Sequence, residues 1–180
     1  MTKRLVFAIV LSLLVFVSTR ADQTKTTAAA AAPVIVLETE KGTVEIETYP
    51  ADAPKSVEMI LVLVRRGFYR GQRFHRVTVD LVQLGDPQTK DMTKEAYWGR
   101  LGSGVPVGVA ELSKKHPHVR GIVGLAHSGE AKYADSQFYI QKNANSSLDG
   151  KYAVIGHVIK GIDVVDKIEV ADVIRNATVR

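Results

Sequence analysis

Three stretches of this sequence place a polar head beside an apolar body in what reads as extended chain. In RFHRVTVDLVQLGDP, Arg73 to Pro87, Arg76 sits among β-branched and aromatic residues with no acid nearby until Asp80, and Gln83 lies two residues beyond Leu81. In DSQFYI, Gln137 lies two residues before Tyr139. Extended chain alternates its side chains, so Leu81 and Gln83 share a face, as do Gln137 and Tyr139, while Phe138 and Ile140 take the opposite one. A permanently charged guanidinium and two amides can donate to the carbonyls of an extended peptide, and the apolar neighbours can take one of its side chains. Taken singly, the same residues also fit an ordinary surface, with Arg76 laid along its strand and the glutamines facing water.

Other chemistries find less support. With no cysteine there is neither a thiol nucleophile nor a disulfide, and His127-Ser128 lacks the glycine-flanked turn that raises a nucleophilic serine. His116-Pro117-His118 lies in a lysine-rich loop without further ligands, and it reads as solvated loop rather than a metal site. LGSGVP lacks the lysine and the strand-to-helix setting of a phosphate loop, and the Asn-x-Ser/Thr matches at Asn145 and Asn176 are short patterns that carry little.

The elements that must hold these residues are mostly short strands. Val34 to Thr39, a turn at Lys41-Gly42, and Val44 to Thr48 with Glu45 and Glu47 alternating predict a hairpin with one wet face. SVEMILVLVRRGFY carries Val57, Ile60, Leu61 and Val64 at helical spacing, with Ser56 as candidate cap and Gly67 as stop. Further strands are expected at 74–77, 81–84, 121–126, 137–140, 152–158 and 173–179, and a second short helix in GIDVVDKIE. Many strands with one or two helices predict an all-β barrel or sandwich. The irregular stretch 87–120 has the length of a functional loop; its Trp98 is expected to pack against the barrel.

The chain has 180 residues, enough for one domain with a sizeable core. Lys3 and Arg4 precede an apolar run from Leu5 to Val17 that is followed by Ser18-Thr19-Arg20-Ala21, the layout of a secretory signal cut before Asp22. Residues 22–33, with a run of alanines ending at Pro33, read as a flexible linker, and 34–180 as the folded domain. Removing 1–21 takes three bases and no acid, which lowers the net charge from +5 to +2 and leaves little reason to expect a nucleic-acid partner. No stable membrane insertion is expected after the signal is cut. Export is the expectation: to a periplasm first, with secretion or a eukaryotic lumen as alternatives.

GTVEIETYPADAPKSVE, GFYRGQRFHRV, VQLGDP, GLAHSG, DSQFYI and LDGKYAVIGHVIKGIDVVDKI occur here in the order in which the cyclophilin family of peptidyl-prolyl cis-trans isomerases carries them, and the chain resembles that family over nearly all of 34–179. The resemblance implies a closed eight-stranded antiparallel barrel capped by two α-helices, with the substrate groove on its outer surface. It implies Arg76 as the catalytic residue, in Phe74-His75-Arg76, and Phe74, His75, Gln83, Ala126, His127, Gln137 and Tyr152 among the substrate contacts. Tyr139, Leu148 and Leu81 match the residues that line the proline pocket. Departures are Asp80 near a usual phenylalanine in a segment about one residue shorter than the common form, Leu84 for the first of two glycines, Tyr152 for a common histidine, and Ser147 for a tryptophan associated with cyclosporin recognition, which implies weak cyclosporin binding.

The implied activity is rotation of Xaa-Pro bonds in proline-containing peptides and in unfolded or partly folded exported client proteins, by a monomer, with no cofactor and no metal. A binding module of another class, peptide-binding or chaperone-like on the same barrel with little catalysis, is the alternative that the altered wall at Asp80 raises.

Overall fold

The computed structural model describes residues 31–180, so the expected signal at 1–21 and most of the linker lie outside the described residues. From Ala31 onward the chain forms one compact unit. Its eight strands are β1 (Val34–Thr39), β2 (Gly42–Thr48), β3 (Arg76–Val77), β4 (Leu81–Leu84), β5 (Ile122–Leu125), β6 (Phe138–Gln141), β7 (Val154–Lys160) and β8 (Ile174–Val179). All pairings are antiparallel, in the order β3-β4-β6-β5-β7-β2-β1-β8. Two helices, α1 (Pro54–Arg65) and α2 (Ile162–Lys167), accompany the sheet.

The sheet curls but does not close, which corrects the closed barrel that the family resemblance implied. Its edges are β3 and β8, joined only by an isolated bridge between Arg73 and Val173 and by bonds such as Ile174 N–H to Gln72 O at 2.8 Å and Ala171 N–H to Phe74 O at 2.9 Å. A full ladder fails because β3 has only two paired residues and the opposite chain leaves extended form at Ala171, whose φ is 73°. Register shifts at Glu38/Thr39, Glu45/Ile46 and Val123/Gly124 supply the local bends by which a sheet curls.

Alternation fixes which face is core. Val82 and Leu84 of β4, Phe138 and Ile140 of β6, Val123 and Leu125 of β5 and Ile35 and Leu37 of β1 join one buried cluster with Val57, Ile60, Leu61 and Val64 of α1. Leu81, Gln83 and Tyr139 point the other way, as period two requires.

Helix α1 starts earlier than the sequence suggests, with Pro54 at its first turn and Ala53 as N-cap. Ser56 is buried inside the helix and caps nothing. The orphan N–H groups of Lys55 and Ser56 are instead accepted by the Glu111 carboxylate, at 3.0 and 2.8 Å, from the long loop. That loop carries two 3₁₀ turns, Pro87–Lys90 and Met92–Tyr97. Trp98 serves the loop itself, its indole N–H facing the carbonyls of Gln88 and Asp91 at 3.2 and 3.3 Å.

Phe74, expected at the groove, is fully buried in the core cluster. Residues 74 and 75 are not strand, so the two-residue alternation that would have put Phe74 beside Arg76 is broken between them. Phe74→Ala should therefore cost about 3–5 kcal/mol of stability by emptying core volume. Denaturant unfolding measures that loss, and the fraction still folded should turn over substrate at the unchanged rate.

Candidate active site

Strand register assembles the outward face. Arg76 pairs with Gln83, Gln83 with Tyr139, and Tyr139 with Gly124, so one cross-strand row runs over β3, β4, β6 and β5. The turn that sets this register is short: Thr78 N–H donates to Leu81 O at 2.8 Å, while the Thr78 hydroxyl accepts from the N–H groups of Asp80 and Leu81. Asn143 Nδ2 donates to Val79 O at 2.8 Å and Lys142 N–H to Asp80 O at 2.6 Å, anchoring the turn against the chain after β6.

Along this face runs a relay of one polarity. Arg76 Nη1 donates to Gln83 Oε1 at 3.2 Å, Gln83 Nε2 donates to Gln137 Oε1 at 2.8 Å, and Gln137 Nε2 reaches Gly99 O and Leu101 O at 3.0 and 2.8 Å. Each amide spends one end on the previous member and the other on the next, so both are fixed in orientation. The receiving carbonyls are held by Asp86, which is fully buried and accepts from the N–H groups of Gln88, Arg100 and Leu101. Gly85, at φ 109°, lets β4 end against the chain entering β6: a Cβ there would collide with the Ser136 carbonyl.

Beside Arg76 opens a cavity of about 320 Å³ lined by Leu81, Gln83, Ala126, His127, Tyr139, Leu148 and Tyr152 together with Arg76. Thr78, Asp80 and Asn145 complete its lining. Tyr152 meets Tyr139 edge-on, with centroids 5.7 Å apart, and lies 4.5 Å from the His127 ring. Because Lys151 O can only accept, the His127 contact at 3.0 Å is an Nε2–H donation, which fixes that ring. Burial, with Tyr152 and Asp149 adding to it, pushes the Tyr139 hydroxyl well above the usual phenol range, so it stays protonated. A second cavity of about 280 Å³ shares Gln83, Ala126 and His127 and continues to Gln137 and the carbonyl loop 99–102.

Nine of the residues expected at the site thus come together around two adjoining cavities: Arg76, Leu81, Gln83, Ala126, His127, Gln137, Tyr139, Leu148 and Tyr152. Phe74 does not, and His75 lies in neither lining, half-buried against Gly99 with no hydrogen-bond partner for either ring nitrogen. Sequence reasoning did not place Thr78 or Asn145 at the site; Asp80 was marked only as a departure. The loop carbonyls of Gly99 and Leu101 carried no signal, because a backbone acceptor can belong to any residue. His116 and His118 also differ from the solvated reading: His116 Nε2 bonds the Asp52 carboxylate at 2.8 Å, and His118 is 1% exposed.

The cyclophilin-type peptidyl-prolyl cis-trans isomerase family model matches residues 34–180. A Brucella abortus protein named "Probable peptidyl-prolyl cis-trans isomerase" is 41% identical over 160 residues, covering 86% of this chain and 81% of the relative. Peptidyl-prolyl cis-trans isomerase 10 of Caenorhabditis elegans is 38% identical over 136 residues, covering 75% and 81%. Among solved structures, a cyclophilin from Hirschia baltica superposes with TM-score 0.67 at 22% identity, over 81% of this chain and 73% of that one. One from Cryptosporidium parvum does so with TM-score 0.68 at 21% identity, over 82% and 96%. The fold and site define a mostly β protein with a row of fixed polar groups beside an apolar-walled surface cavity. The chain belongs to the cyclophilin-type peptidyl-prolyl cis-trans isomerases, enzymes that rotate the bond preceding proline.

Burial pushes the His75 imidazole below its ordinary range, the Arg76 cation acts the same way, and Asp86 and Gln137 oppose them. A base whose folded-state value is depressed stabilises the fold above its unfolded value, about 6.5, and that contribution is lost as pH falls. Wild type should therefore lose stability on acidification from pH 7 toward 5 faster than His75→Phe. Urea midpoints across that range measure the difference in slope; parallel curves would refute it.

Proposed function

We propose that Arg76 drives this isomerase by binding the twisted Xaa-Pro bond better than either planar form, and that its clients are exported proteins. The observation that carries the first part is the position of the Arg76 guanidinium, tied through Nη1 to Gln83 at the rim of a cavity walled by Leu81, Tyr139, Leu148 and Tyr152. A proline ring seated among those walls places the preceding peptide bond beside the guanidinium. The planar amide resists rotation with a barrier of about 18–20 kcal/mol because twisting destroys its resonance.

Twisting localises the lone pair on the ring nitrogen, and a fixed donor can favour that state by bonding the nitrogen or the prolyl carbonyl oxygen. Only one Nη1 bond ties Arg76 to Gln83, so the other four guanidinium N–H groups stay available for this. Gln83, Gln137 and the backbone near Ala126 and His127 hold the flanking chain, which keeps one side of the bond still while the other turns. Preferential stabilisation of about 5 kcal/mol already gives an acceleration of several thousand-fold.

Arg76→Ala should lower kcat/KM for a proline peptide by about 100- to 1000-fold, on the scale of removing one preorganised electrostatic donor, with peptide affinity largely kept. Arg76→Lys should fall between, having charge without the planar fork. Exchange spectroscopy on the two isomers gives the rates. Equal rates for wild type and Arg76→Ala would turn the site into a binding module.

Export rests on the sequence of residues 1–21, a basic start, an apolar run too short to span a bilayer and a small-residue cut site. The periplasm is the compartment we assign. Protein recovered from the periplasmic fraction of an expressing bacterium should have the intact mass of a chain beginning at Asp22. A chain that stays in the cytoplasm with residues 1–21 attached would remove exported proteins from the proposed clients.

A further inference from the structure

His118, 1% exposed, is buried behind the wall of the cavity beside Arg76, in the segment that reads as solvated loop, and each of its four polar groups has a partner in that cavity's surroundings. Its backbone N–H and Nδ1 meet Asp149 Oδ1 at 2.7 and 2.9 Å, its Nε2 meets the Tyr139 hydroxyl at 2.8 Å, and its carbonyl accepts from Asn145 N–H at 2.7 Å. The roles follow from chemistry. The two His118 donors hold the Asp149 carboxyl below the ordinary carboxylate range, so Asp149 is ionised and can only accept. Nδ1 therefore carries a proton, and in the neutral imidazole Nε2 is then the acceptor of the Tyr139 O–H.

Two walls of the cavity thereby meet at one side chain. Tyr139 comes from β6; Leu148 and Asn145 come from the 145–149 segment, which His118 grips at both ends through Asn145 and Asp149. The opposite side of Tyr139 is equally constrained, because Gly124 pairs with it across β5 and β6 and a Cβ on Gly124 would collide with the ring and its hydroxyl. An unanchored phenol next to open space could turn; this one is clamped between a missing side chain and a hydrogen bond.

We propose that His118 is a positioning residue of the proline-binding cavity: bridging Asp149 and Tyr139, it fixes the spacing of the two walls and so sets affinity for the proline ring, while Arg76 sets the speed of the twist. The inference rests on the reading of that cavity as the proline pocket. It divides the work of the site between two residues that do not act through each other, and that division is measurable.

The test uses the folded protein with residues 34–180 intact, the tetrapeptide Ala-Ala-Pro-Phe bearing a chromogenic C-terminal amide, and the variants His118→Leu, Tyr139→Phe and the pair combined. Tyr139→Phe removes one hydroxyl and keeps the ring, so it remains informative should His118→Leu fail to fold. Loss of one buried hydrogen bond predicts KM and peptide Kd raised about tenfold in each single variant, with kcat at saturation within about twofold of wild type. Because both act through the same bond, the double variant should be no worse than the weaker-binding single. His118→Gln, which keeps a donor and an acceptor on one amide, should recover part of the affinity.

A fall in kcat with KM unchanged, peptide affinity equal to wild type, or effects that simply multiply in the double variant would overturn the assignment. Those outcomes leave the isomerase reading standing so long as wild type accelerates exchange and Arg76→Ala does not. If wild type itself gives no acceleration, the proposed function falls and the positioning role falls with it.

Discussion

The site depends on strand register. Arg76, Gln83, Tyr139 and Gly124 occupy successive positions of a single row across four strands, and only this pairing puts a cation, an amide, an aromatic ring and a gap side by side. A slip of one residue in β4 would send Leu81 and Gln83 into the core and Val82 and Leu84 into water. The hydrophobic interior therefore dictates the exterior: the same alternation that buries Phe138 and Ile140 aims Gln137 and Tyr139 at the outer cavities.

From that row outward, each polar group is fixed by a partner that cannot reverse its role. The guanidinium only donates and the carbonyls of Gly99 and Leu101 only accept, so the two glutamine amides between them have one arrangement. On the other side of Tyr139 the carboxylate of Asp149 imposes a single tautomer on His118. Rigid donors and acceptors of known direction are what a catalyst of bond rotation needs, because the reaction forms no covalent link to the enzyme and its rate rests on differential stabilisation of a shape.

Much of this was legible in the sequence because it is periodic. Strand β4 falls on the expected residues, the expected strands at β5, β6, β7 and β8 coincide within two residues or so at each end, and the two-residue alternation at Gln137 and Tyr139 holds. Long-range partners leave no periodic trace. Ser56 looks like a cap by type, yet Glu111, remote in sequence, supplies the bonds. His118 looks solvated among lysines and prolines, and only folding brings Asp149 and Tyr139 to it. Phe74 misled for the opposite reason, since nearness in sequence to Arg76 does not mean a shared face once the strand is interrupted. The resemblance to the family gave the strand number correctly and the closure wrongly, because closure here turns on how short β3 is and on where the opposite chain turns at Ala171.

Strand β1 lies in the sheet beside β8, and the pairing runs to the very end, with Val34 and Arg180 exchanging backbone bonds at 2.9 and 2.8 Å. The first strand of the domain therefore lacks its neighbour on that side until residues 174–180 have been made, and the β1–β8 ladder is the last in the sheet for which both partners exist as the chain grows.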